Sequence, residues 1–94
     1  MTDLYVEKIH IDFDPSIPDS VNRISKLILE DSFLLDYTPE QLARNLRMGN
    51  SYHLHSLDYE NGKTDISVKM VDGKLRFSGT SPEAEQALLN LPRF

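Results

Sequence analysis

The residues of this chain whose types could do chemistry are its three histidines and the carboxylates near them. His10, Asp12 and Asp14 alternate along one stretch, and His53 and His55 stand two apart on another. Alternation of this kind places side chains on one face of a strand. If the two strands are neighbours, His10, Asp12, His53 and His55 converge, and imidazole with carboxylate suits zinc, nickel or iron. His-x-His alone is not a metal-binding signature. The expectation is therefore that the chain holds no metal or other cofactor and that its histidines are solvated or lie at a sheet edge.

The other routes to catalysis have less behind them. With no cysteine, thiolate zinc sites, iron–sulfur clusters and cysteine nucleophiles are absent. No serine sits in a Gly-x-Ser-x-Gly elbow. Asp58 and Asp65 can be drawn together across a turn, but a site open to water shifts neither carboxyl far. The four glycines are scattered and make no phosphate-cradling loop. The chain reads as a non-enzyme.

Nucleic acid is the next class to weigh. Lys69, Lys74 and Arg76 fall on one face of a hairpin, with Lys63 at its other end and Tyr52 near by, which suits a small stacking surface for single strands. The net charge of −5 opposes it. A winged-helix reading lacks a basic recognition helix, since Arg44 and Arg47 are the only cations of the second helical segment.

The elements that must position these residues follow from patterning. Leu4 to Phe13 reads as a strand whose apolar phase changes once, predicting a bulge near Glu7-Lys8. Ser16-Ile17-Pro18-Asp19 has the form of a helix start, and Ile17, Val21, Ile24 and Ile28 recur at helical spacing, predicting a helix that ends around Glu30-Asp31-Ser32. Phe33-Leu34-Leu35 is a short apolar cluster for the core. Thr38-Pro39-Glu40-Gln41 is a capping box, Tyr37 and Leu42 can form a staple, and Gly49 ends the helix. Tyr52–Tyr59, Asp65–Val71 and Lys74–Ser78 read as strands joined at Asn61-Gly62 and Asp72-Gly73. Ser81-Pro82-Glu83 opens a last helix, with Ala84, Ala87, Leu88 and Leu91 on its buried side. The predicted order is β-α-α-β-β-β-α. It describes an α+β domain with an antiparallel sheet, made of a C-terminal three-stranded meander plus the N-terminal strand, and helices packed on one face.

Two-residue turns set register, so facing pairs can be written down. Across Asp72-Gly73, Met70 faces Leu75 and Val68 faces Phe77 on the core side with Ile66. Lys69 then faces Arg76 on the other side, a like-charged pair that must point into water or at an anion. Across Asn61-Gly62, Glu60 faces Lys63, and continuing that register turns His53 and His55 inward and Tyr52 and Leu54 outward. Three resolutions exist. A bulge near Ser56 could return Leu54 to the core, the histidines could sit at the sheet edge, or Tyr52, Leu54 and Val71 could form an outward patch for a partner.

At the level of the whole chain, 94 residues with 39% hydrophobic and 27% charged side chains make one folded domain, residues 1–94, with little room for an enclosed pocket. The cysteine-free composition and the acidic, non-apolar start at Met1–Tyr5 predict a cytoplasmic protein with no secretory leader and no membrane span. What is left is a module that works through its surface: an inhibitor, an immunity protein or an accessory subunit of bacterial or phage type. It contacts another protein or a second copy of itself through Tyr52, Leu54, Lys69, Val71 and Arg76. Nucleic-acid binding by the last hairpin and metal binding by the histidines are the alternatives.

Overall fold

The computed structural model describes residues 3–30, 36–59 and 63–94. Strand β1, Asp3–Ile11, is the longest strand among the described residues. Its register against the following strand shifts between Val6 and Lys8, where the change of apolar phase predicted a bulge. The extra residue lets Val6 and Ile9, three apart, both reach the core.

The predicted helix after Ser16 does not form. Ser16 instead bonds back to the Asp14 carboxylate through both its N–H and its hydroxyl, closing an Asx-type turn. Ser20 caps a single 3-10 turn, Val21–Arg23, and strand β2 follows at once, Ile24–Leu29. Residues Ile24, Leu27, Ile28 and Leu29 are all buried. A second irregularity, between His10 and Ile11 of β1, breaks the simple two-residue alternation along β2. Strand β2 is also internal, with β1 on one side and β3, Asp36–Tyr37, on the other. The bulged spacing and the burial of successive residues together imitate a helical stripe. Phe33-Leu34-Leu35 and the Asn61-Gly62 turn, with Glu60 of the Glu60–Lys63 pair, lie outside the described residues.

Helix α1, Pro39–Arg47, forms as the capping box predicts: Gln41 N–H donates to Thr38 Oγ1 at 3.3 Å, and Thr38 N–H donates to Gln41 Oε1 at 2.8 Å. Gly49, at φ 90°, follows its C-terminus. Strand β4, Ser51–His53, runs parallel to β1 and completes a four-stranded sheet of order β3-β2-β1-β4. It is shorter than the predicted Tyr52–Tyr59 strand, and it pairs with β1 rather than joining a meander. The chain turns away after it, with Leu57 N–H bonded to Leu54 C=O.

Strands β5, Ile66–Val71, and β6, Lys74–Gly79, form a separate two-stranded hairpin. Its register is the predicted one, with Met70 opposite Leu75, Lys69 opposite Arg76 and Val68 opposite Phe77. Asp72 and Gly73 both take positive φ, 50° and 79°, as the turn between such strands requires. Helix α2, Pro82–Leu89, is capped by Ser81, which accepts from Ala84 N–H at 3.1 Å. Both helices pack against the hairpin. The chain then returns to β1, where Ile9 N–H donates to Pro92 C=O and Phe94 N–H donates to Ile9 C=O. The class is α+β, and one core joins Ile9, Ile24 and Leu27 of the sheet to Leu42, Ile66, Phe77 and Leu88. Among the described residues no helix is long and apolar enough to cross a membrane.

Candidate functional site

Two groups of residues gather the chemistry of this chain. The first lies where β1 and β4 begin. Parallel pairing sets His53 beside Tyr5. The His53 side chain is 2% exposed, with Nε2 3.0 Å from Asp3 Oδ1 and Nδ1 3.9 Å from Asp65 Oδ2. The Tyr59 hydroxyl donates to the other Asp3 oxygen at 2.9 Å. His55 lies flat on Tyr5, with ring centroids 4.1 Å apart, and its Nε2 is 2.6 Å from Glu30 Oε1. The hydrogen bonds from His53 and then Tyr59 hold the Asp3 carboxyl below its ordinary value. These contacts tie β1, β4 and the loop through Tyr59 together. Both ring nitrogens of His53 thus face carboxylates, those of Asp3 and Asp65.

The four weak metal candidates, His10, Asp12, His53 and His55, are not brought together. His10 lies five residues along β1 from Tyr5, about 16 Å at strand rise. There it meets Asp12 at 3.2 Å, the Phe94 carbonyl and the Phe94 ring, while His53 and His55 stay at the other end. Among the described residues no three His, Asp or Glu side chains are grouped to hold a metal ion.

The predicted outward patch is also corrected. Tyr52 is 0% and Leu54 1% exposed, so neither can meet a partner in the folded chain. Tyr52 is inside because β4 pairs with β1. Its hydroxyl accepts from Asn45 Nδ2 of α1 at 2.6 Å, and burial raises its pKa above the ordinary phenol value. Leu54 N–H donates to Asp65 Oδ2 at 3.1 Å just past the end of β4. Val71 is half-buried beside the turn. Lys69 is exposed. Arg76 does find an anion, since its side chain is only 16% exposed and Nη2 lies 3.3 Å from Asp14 Oδ2. The Ser16 hydroxyl and N–H, followed by the Arg76 charge, keep the Asp14 carboxyl below its ordinary value.

The second group surrounds the tip of the hairpin. A cleft of about 520 Å³ lies between Met70, Lys74, Leu75 and Arg76 on one side and Ser25 and the start of α1, Thr38–Glu40, on the other. Met70 shares a face with Ile66 and Phe77, which are fully buried, yet Met70 is 63% exposed. The core ends before the hairpin does, and its last apolar rung opens on the cleft. Comparison with family models, with curated proteins and with solved structures finds no match to this chain.

Sequence patterning found the hairpin and its register, but not the cleft. Met70 was expected in the core because alternation names the face of a strand and says nothing of how far along that face the neighbouring elements reach. Ser25 and Glu40 carry no local signal either, since it is the packing of β2 and α1 that sets them opposite the turn.

Proposed function

We propose that this chain is a non-enzymatic protein-binding module, an inhibitor, immunity or accessory protein of the cytoplasm. It engages its partner through the tip of the β5–β6 hairpin rather than through Tyr52 and Leu54. The observation that carries this reading is Met70, an apolar side chain on the core-side face of a well-specified hairpin, left exposed at the mouth of a cleft. Exposed apolar groups next to a groove mark contact sites more often than isolated ones do. Lys69 and the half-buried Val71 flank it on the other face of the same strand. The hairpin also differs in charge from the rest of the molecule: Ile66–Gly79 holds three of the ten basic residues and one of the fifteen acids. That contrast opposes a symmetric dimer through the hairpin, where like charges would meet, and suits an acidic surface on the partner.

The test is affinity purification from the native host with the wild-type chain and with Met70→Asp. An exposed position tolerates the charge, so the variant should stay folded. The expected result is a protein retained by the wild type and lost by the variant. Retention of the same proteins by both defeats the hairpin as the contact surface. Salt-sensitive binding of an oligonucleotide, lost in Lys69→Glu, favours nucleic acid instead.

A further inference from the structure

We infer that the cleft at the hairpin tip takes an extended acidic peptide, an apolar side chain entering against Met70 and Leu75 while a neighbouring carboxylate meets Lys74 and Arg76; this rests on the protein-binding reading above. Three observations carry it.

The first is backbone hydrogen bonding. In a two-residue hairpin the pair closing the turn, Val71–Lys74, exchanges the ladder bonds, so at Met70–Leu75 the N–H and C=O groups point outward. Phe77, two residues along and in the same phase, shows what such a group needs: its C=O accepts from Asn22 Nδ2 at 2.8 Å. On that same strand Leu75, at the cleft, has no such partner for its outward N–H and C=O among the described residues. An unpaired strand edge is a template for an incoming extended segment.

The second is Arg76. One terminal nitrogen of its guanidinium serves Asp14, while Nε is buried and has no acceptor. Among the described residues no other buried side-chain nitrogen or oxygen is left unpartnered. A buried charged group missing an acceptor is costly, and a carboxylate is the acceptor that matches a guanidinium.

The third is charge. Lys74 is exposed on the rim and adds a second cation, against Glu40 as the acid of the lining. A peptide of alternating acidic and apolar residues presents acids to one side and an apolar side chain to the other, as the lining asks.

The test uses a library of random dodecapeptides displayed on phage, selected on the wild-type protein and in parallel on Lys74→Glu. Arg76→Gln, checked for folding by circular dichroism, is the second variant. The expected result is a consensus with Asp or Glu within two positions of Leu, Ile, Phe or Met. The synthesised consensus peptide should lose about tenfold in affinity on either substitution, the size of one charge-assisted hydrogen bond. In an amide-resolved NMR titration it should shift Leu75 and its neighbours. A neutral apolar consensus whose binding is lost in Met70→Asp overturns the acidic requirement and leaves the protein-binding reading standing. A basic consensus, or none enriched over the Lys74→Glu selection, overturns the inference. Displacement of the peptide by a single-stranded oligonucleotide of equal affinity overturns the choice of a peptide. The wider reading fails separately, by the co-purification above.

Discussion

At the scale of single residues, burial separates side chains that look alike in the sequence. Leu54 and Met70 are both apolar and both stand within one residue of a strand end, yet one is 1% and the other 63% exposed. Leu54→Asp strands a charge inside the core and should abolish the folded circular dichroism spectrum. Met70→Asp should change stability by no more than about 0.5 kcal/mol in urea titrations. Asp3 offers a residue-scale prediction in pH. Its carboxyl is held below the ordinary value of 3.8 by His53 and Tyr59, so the folded state favours the ionised form. The contribution is present in full above the unfolded pKa and is lost as pH falls through the lower folded one. Wild type and Asp3→Asn should therefore differ most at neutral pH and converge under acid, as read from urea midpoints. A gap that stays constant down to the acid limit sinks this account of Asp3.

Among the elements, the hairpin and the two helices owe their form to local chemistry, while β2 owes it to its neighbours. The Asp72-Gly73 turn needs positive φ at both positions, and a Cβ on Gly73 would meet nothing within 4 Å. Gly73→Ala should therefore cost only the backbone term, about 1–2 kcal/mol. Gly79 is constrained by contact instead. A Cβ there would lie 2.8 Å from the backbone nitrogen and 3.1 Å from the Cα of Glu85, in the first turn of α2. Gly79→Ala must push α2 away from β6 and should lower the melting temperature more than Gly73→Ala does. The opposite ranking in thermal melts contradicts this packing. Thr38→Ala, which removes one half of the capping box at the edge of the hairpin cleft, should cost about 1 kcal/mol.

For the molecule as a whole, the question is whether the hairpin is an appendage or part of one cooperative unit. Phe77 of β6 lies in the same buried cluster as Ile9 and Leu27 of the four-stranded sheet, and Thr80 N–H is bonded to Asp65 C=O where the hairpin begins. Phe77→Ala should therefore cost about 3–5 kcal/mol and lower a single transition. Far-UV and tyrosine near-UV signals should keep the same midpoint. None of the four tyrosines lies within β5 or β6, so separate midpoints in the variant would mean that the hairpin melts alone.

What the sequence by itself determined is what nearest neighbours decide. The capping box at Thr38, the serine cap and proline at Ser81-Pro82, and the positive-φ turn at Asp72-Gly73 rest on groups within four residues of one another. Hairpin register follows from its turn, so the Lys69–Arg76 and Val68–Phe77 pairs were readable as well. The bulge near Glu7 was readable because a change of apolar phase is itself a local signal. Tertiary structure alone decided the rest. Ile17, Val21, Ile24 and Ile28 suit a helix in spacing, but β1 and β3 offered Ile24–Leu29 a place between two strands, and burial on both sides outweighs the fraction of a kcal/mol by which helix propensities differ. Pairing Tyr52 with Leu4 of β1 rather than across the following loop turned a predicted contact surface into core. The cleft beneath Met70 arose the same way, because where a core stops depends on the reach of elements distant in sequence, and no local pattern of residues encodes that distance.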